Sequence, residues 1–186
     1  MPEGDAVHLT ARRLHAALAD KVVTRSDLRS PRFATADLRG QTVTEVVARG
    51  KHLLLRTDDG LTLHTHLKMD GVWRLYWPGE RWREPTFQAR AIVEVPDRQA
   101  VGFRLAIVEL LRTDREGDVL GHLGPDVLGP DWDPDEALRR LTGDPAREIG
   151  EALVDQRVMA GPGNVYKSEA LFLRGIHPRT PVGRVG

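Results

Sequence analysis

From Glu3 to Leu18 the apolar positions Val7, Leu14 and Leu18, with Ala6, Ala11 and Ala17, recur at helical spacing. The pattern predicts a helix that begins almost at the chain start, with Pro2 as its natural opening residue. The period then changes. Segments 41–48, 52–57, 61–67, 71–76, 89–95 and 100–111 are short, rich in Val, Leu, Thr and aromatics, and separated by Gly, Asp or Pro, so each reads as a strand. Asp58-Asp59-Gly60 between two apolar runs is a hairpin signal, and Pro78 to Pro85 reads as a longer surface loop. After Asp114 the strand signal stops. Residues 134–142, 146–158 and 164–174 look helical, with Pro134 at a helix start and Gly161-Pro162-Gly163 as a break. The predicted class is α+β: an N-terminal β-sandwich with an N-terminal helix over 1–113, a linker over 114–133 and a helical module over 134–186.

Composition narrows the chemistry. The chain has no cysteine, which excludes disulfides, cysteine-ligated zinc, iron–sulfur clusters and thiol catalysis. Its seven histidines are scattered without H-E-x-x-H spacing, so no metal and no cofactor are expected. Apolar runs such as Leu53–Leu55 fall far short of the roughly 20 residues of a membrane span. Met1-Pro2-Glu3-Gly4-Asp5 lacks the basic and apolar regions of a signal peptide. A monomer in the bacterial cytosol or nucleoid, with no membrane partner, is the expectation.

A net charge of zero seems to argue against nucleic acid, but it conceals a division along the chain. Residues 1–113 carry 18 basic and 14 acidic groups, 114–143 carry 3 and 8, and 144–186 carry 6 and 5. The acid is concentrated in the middle, so both flanking modules are mildly basic and phosphate binding stays open. Of the 27 basic residues 23 are Arg, which codon usage explains as well as phosphate contact does.

Three motifs could carry chemistry. Initiator methionine is normally removed before a residue as small as Pro, leaving the Pro2 secondary amine free. The positive end of a helix favours its neutral, nucleophilic form, and Glu3 beside it could move protons. Amine and acid together suit Schiff-base chemistry on a sugar aldehyde, although Met-Pro-Glu reads equally as a helix start. In the second motif, Gly161-Pro162-Gly163-Asn164-Val165-Tyr166-Lys167-Ser168-Glu169, a glycine turn enters a helix whose N–H groups can bind phosphate. Asn164 either caps that helix or, with Lys167, contacts a DNA backbone. The third motif is Lys51 after Gly50 together with His66-Leu67-Lys68-Met69-Asp70-Gly71. Lys51 and His66 could hold phosphates, and Met69 at a loop tip could enter a base stack as an apolar wedge. The plainer readings are a solvated lysine, a hydrogen-bonded strand histidine and a core methionine.

Together the motifs resemble the formamidopyrimidine-DNA glycosylase/endonuclease VIII family of base-excision repair enzymes. The resemblance rests on Pro-Glu-Gly at 2–4, Gly50-Lys51-His52-Leu53, His66 to Gly71, His122-Leu123-Gly124-Pro125-Asp126 and the run Ile149 to Phe172, all in family order. It implies a β-sandwich with the catalytic helix, a helix-two-turn-helix DNA-binding domain over 134–186, and damaged double-stranded DNA bound between them. It implies Pro2 as nucleophile at C1′, Glu3 as the acid, Lys51 and His66 on phosphates, and Asn164 and Lys167 on the backbone. Met69 would fill the gap left by the everted nucleotide. The implied activity is bifunctional, with glycosylase and AP lyase steps linked by a Schiff base and β,δ-elimination.

Pro-Glu-Gly-Asp and the run Met69 to Trp73 resemble the endonuclease VIII branch, which generally removes oxidised pyrimidines; an oxidised-purine glycosylase is the alternative within the family. The family's C-terminal zinc finger, with four cysteines and a DNA-gripping arginine, has no counterpart in these 186 residues. Its loss implies less DNA-binding area and one phosphate clamp fewer. Pro162 stands where the family pattern has an aliphatic residue, which stiffens the turn. A non-catalytic damaged-DNA-binding protein is the alternative of another class, and a structural partner in a repair complex is a third; neither requires Pro2 or Glu3.

Overall fold

The computed structural model describes residues 2–185; the expected removal of Met1 concerns a residue outside that range. The helix α1 (Gly4–Leu18) is followed by eight strands, β1 (Arg25–Leu28), β2 (Val43–Arg49), β3 (His52–Thr57), β4 (Leu61–His66), β5 (Val72–Tyr76), β6 (Ala89–Val95), β7 (Arg98–Phe103) and β8 (Ile107–Arg112). They form two four-stranded antiparallel sheets, ordered β1-β6-β7-β5 and β2-β3-β4-β8. Four helices follow: α2 (Glu116–Leu120), α3 (Pro134–Leu141), α4 (Ile149–Ala152) and α5 (Asn164–Leu173). None of the described helices is long and apolar enough to cross a membrane.

The apolar stripe of α1 closes the sandwich. Val7, Ala11, Leu14 and Leu18 join Leu53, Leu55 and Leu63 of the second sheet and Ala91 and Val93 of the first in one core. His15 on the same helix accepts a hydrogen bond from the Val46 backbone N–H, fixing α1 against β2. The consecutive leucines of β3 show that this strand is covered on both faces: Leu53 and Leu55 enter the sandwich, while Leu54 packs outward against Leu120, Leu123 and Ala160. Leu54 thereby ties the sandwich to the chain beyond it. Fully burying a leucine of this kind stabilises by about 1.5–3 kcal/mol. A separate cluster of Ile149, Ala152, Leu171 and Val182 holds α4 and α5 together.

Three elements differ from the pattern reading. The run 100–111 is two strands, because Arg104 adopts a left-handed conformation (φ 52°) and the chain leaves the first sheet for the second there. The helix expected over 146–158 is one turn long. Beyond it Asp155 accepts from the backbone and guanidinium of Arg157 and from Arg147, a local bonding pattern that competes with the helical ladder. Strand β1, with only Leu28 buried, carries too little alternation to be read as a strand.

Segment 114–133 contains α2, anchored by a charged network. Arg56 donates twice to Glu116, at 2.8 and 2.6 Å, and again to Glu45, while the Thr62 hydroxyl donates to Glu116 at 2.6 Å. Burial acts to raise the Glu116 pKa, but the bonds from Arg56 and Thr62 outweigh it and hold the carboxyl below its ordinary 4.5. A lowered folded-state pKa means stability that is complete above 4.5 and lost as pH falls through the lower value. Thermal melts of Glu116→Gln should therefore lack a share of the acid-induced loss that the parent shows as pH falls below 4.5. Parallel acid profiles for the two proteins would contradict this.

Candidate active site

The site forms where the start of α1 meets the start of α5. Glu3 is 4% exposed and its carboxylate accepts three backbone N–H groups: Val165 at 2.7 Å on Oε1, and Gly163 at 2.9 Å and Tyr166 at 3.3 Å on Oε2. These donors are among those that a helix start leaves unpaired, so Glu3 serves α5 as a cap contributed from the other end of the chain. The positive end of the helix dipole stabilises the anion in return. A carboxylate offers about four lone-pair sites, and the backbone occupies three. The remaining one, on Oε1, can exchange a proton.

Two glycines make this approach possible. A Cβ on Gly163 would lie 2.6 Å from Glu3 Cδ and Oε1, and a Cβ on Gly4 would lie 2.7 Å from Gly161 Cα. The Gly4 N–H donates to Gly161 O at 3.0 Å. Behind the turn, Gln156 accepts from Gly161 N at 3.0 Å and donates to Pro162 O at 2.8 Å. Pro2 precedes Glu3 directly and is half-buried.

Lys51 follows Gly50, whose positive φ of 57° turns β2 into β3 and whose N–H donates to buried Asp126 at 2.6 Å. Asp126 also accepts from Leu128 N at 3.1 Å, so it locks two backbones together. Partial burial lowers the Lys51 ammonium below its ordinary pKa, while the charge of Glu3 acts to raise it. The two side chains face one another electrostatically.

His66 ends β4, and its Nδ1 accepts from Lys68 N at 2.9 Å. Burial first, then the charges of Lys68, His64 and Lys51, push its pKa down to about 4. Met69 is 66% exposed at the tip of the same turn and is no core methionine. Arg104 braces that turn, donating to Asp70 O at 3.0 Å and to Glu84 at 2.7 Å. Of the two readings of Asn164, capping does not occur, since Glu3 takes that role; its Oδ1 instead accepts from Lys167 Nζ at 3.0 Å. A small, mostly apolar cavity of about 190 Å³ opens beside Glu3, lined by Gly4, Asp5, Val127, Leu128, Pro162 and Tyr166. The Tyr166 hydroxyl donates to Asp5 across its rim at 2.8 Å.

The structure thus brings Glu3, Lys51 and the Gly161–Tyr166 turn together. His66 and Met69 share a turn following β4, and Asn164 and Lys167 pair on the first turn of α5. Arg104 lay outside every motif, and Gln156 and His52 lay inside motifs without a role assigned to them. Asp126 lay inside a quoted motif, but a lone acid gives no sign that it will receive a backbone N–H 76 residues away.

The formamidopyrimidine-DNA glycosylase N-terminal domain model matches residues 1–107, and the H2TH domain model of the same glycosylase matches 123–185. The chain belongs to the formamidopyrimidine-DNA glycosylase/endonuclease VIII family. Within that family it is 58% identical over 186 residues to "Probable endonuclease 8 2" of Streptomyces coelicolor, covering all of this chain and 67% of that protein. It is 48% identical over 183 residues to the "DNA-(apurinic or apyrimidinic site) lyase Nei2" of Mycolicibacterium smegmatis, covering 98% and 71%. The formamidopyrimidine-DNA glycosylase of Lactococcus lactis, solved bound to DNA containing an abasic site, superposes with a TM-score of 0.84 at 24% identity, over all of this chain and 73% of that one. The α+β fold, with helix-two-turn-helix after the sandwich, is therefore the fold of the family. The cysteine-ligated zinc of other members has no fit here, because the chain contains no cysteine.

Proposed function

We propose that this protein is a DNA glycosylase with AP lyase activity that excises oxidised bases, pyrimidines foremost, from double-stranded DNA, acting as a monomer in the bacterial cytosol or nucleoid. The observation that carries the reading is the Glu3 carboxylate: buried, pinned to α5 by three N–H groups, facing Lys51, and one peptide link from the Pro2 amine. A helix start alone does not require such an anchored acid.

In the proposed scheme the damaged nucleotide is everted from the duplex, at a cost of a few kcal/mol that is least for a weakly stacked lesion. The Pro2 nitrogen forms a bond to C1′ as the glycosidic bond breaks and the base leaves with its electron pair. The ammonium proton of Pro2 passes to the free lone pair of Glu3, which returns it to O4′ as the sugar ring opens to an iminium. Loss of a C2′ proton then expels the 3′ phosphate, and a second elimination expels the 5′ phosphate. No cofactor enters these steps. Lys51, His66, Asn164 and Lys167 hold the backbone, and Met69 occupies the vacated stack. The pyrimidine preference follows the run Met69–Trp73 and the endonuclease 8 names of the relatives.

Borohydride trapping on duplex DNA bearing an abasic site tests the scheme. The expected result is a covalent adduct that mass spectrometry places on Pro2. No adduct from protein that lacks Met1 would overturn it and favour damaged-DNA binding without cleavage.

A further inference from the structure

The outer face of the second sheet carries a row of imidazoles of which the proposed chemistry uses only His66. His52 on β3 is the register partner of His66 on β4, and His64, two residues before His66, is the partner of Glu109 on β8. Their rings touch: His52 and His66 meet edge to face at 4.9 Å between centroids, and His52 and His64 stack at 5.1 Å. His64 is 1% exposed, so its two nitrogens must find partners inside the protein. One meets Glu109 at 3.1 Å and the other meets His52 Nδ1 at 2.8 Å.

Hydrogen bonds link Glu109 to His64 and His64 to His52, and His52 meets His66 by ring contact alone. A carboxylate only accepts, so His64 Nδ1 donates to Glu109. In neutral His64 the Nε2 lone pair then accepts, and His52 Nδ1 donates to it. At the other end the Lys68 backbone N–H donates to His66 Nδ1, so that nitrogen bears no proton and the hydrogen of neutral His66 sits on Nε2. We infer that, with the Lys68 N–H fixing the tautomer of His66, the residues His52, His64 and Glu109 are positioning residues that set its ring through the edge-to-face contact, so that its Nε2–H is the donor to a DNA phosphate. The inference rests on the phosphate-binding reading of His66.

Charge at the His66 end of the row agrees with neutrality there. Lys51 and Lys68 lie at its solvent end, His122 faces His52 from the segment after α2, and Glu109 and Glu116 face His64. Burial first, then the neighbouring imidazoles and Lys68, lowers the His52 pKa to about 3. A second cation beside Lys51 and Lys68 would repel both, whereas a neutral donor adds a bond without that repulsion. His66 and Lys51 then bind phosphate by different physics. Each lysine that neutralises a phosphate releases counterions and steepens the salt dependence; a neutral imidazole does not.

Affinity for a duplex with a reduced abasic site, measured against salt, separates these cases. Lys51→Ala should lower the salt slope by about one. His66→Ala should weaken binding about tenfold with the slope unchanged. His52→Phe, which keeps the ring and removes the donor, should weaken binding several-fold in the parent and have no effect in a His66→Ala background. Nitrogen-15 spectra of the free protein at pH 6–8 should show His66 protonated on Nε2 alone and His64 on Nδ1. Glu109→Ala, at the exposed end of the row, should release His64 into both tautomers without loss of fold. A doubly protonated His66 at pH 7, a salt slope reduced by His66→Ala, or an equal cost of His52→Phe in both backgrounds would each overturn the inference. If His66→Ala binds like the parent while the tautomers are as stated, the phosphate contact itself has failed, and the positioning role fails with it.

Discussion

Glu3→Gln is expected to reduce excision of an oxidised base by roughly a thousandfold, the scale of lost proton transfer in a positioned acid–base step. The same change should also lower stability. Glu3 is an acceptor for Gly163, Val165 and Tyr166, and an amide presents an NH₂ where one of those N–H groups now finds an oxygen. Two donors then face each other in a site closed to water, which costs about 1–3 kcal/mol and more because the lost bonds were charge-assisted. Thermal melting checks the stability loss, and single-turnover excision checks the rate. Glu3→Asp separates the two effects. It keeps the charge but is one methylene shorter, so it should recover part of the stability and little of the rate. Excision by Glu3→Gln at the parental rate would remove Glu3 from the chemistry.

Pro2→Leu is expected to bring covalent capture on abasic DNA down to background while leaving duplex affinity within about twofold. A bulky second residue retains the initiator methionine, so the nitrogen of residue 2 becomes an amide whose lone pair is delocalised into the carbonyl and is no nucleophile. Intact mass establishes whether Met1 is present, and borohydride capture measures the loss. Pro2 makes none of the hydrogen bonds that define the Glu3 cap, so the melting temperature should hold. Undiminished capture by a protein that retains Met1 would place the adduct on another amine, the Met1 α-amine or Lys51, whose pKa burial lowers, being those to map.

Much of the sandwich was legible because its strands obey a short period and end at recognisable turns. Residues 52–57 read as a strand, and Asp58-Asp59-Gly60 announced the hairpin into β4, with Gly60 at φ 71°. The passage between sheets at Arg104 was not legible, because a left-handed arginine is held there by Asp70, Glu84 and Gln88, all distant in sequence. The short α4 was missed for a related reason: residues 146–158 have helical spacing, but Asp155 spends its oxygens on local partners. The motifs at 2–5, 50–53, 66–71 and 161–169 located the candidate site because each is compact. What joins them could not be read from any one of them. That Glu3 would cap α5, that Asp126 would bind Gly50, and that His66 would lean on His52 are contacts between strangers in the sequence.

The cap on α5 also bears on how the protein is made. Glu3 and Gly163 are separated by 160 residues, so all the chain between them must leave the ribosome before the carboxylate reaches its three donors. The N-terminal sandwich can assemble earlier, since α1 finds its partners within the first hundred or so residues. For that interval a nascent chain holds a Pro2 amine beside an unanchored acid and no turn to receive it. Emergence of the Gly163 turn, rather than exposure of the N-terminus, is then the event that completes the cap, and fragments ending before Gly163 should lack an anchored acid.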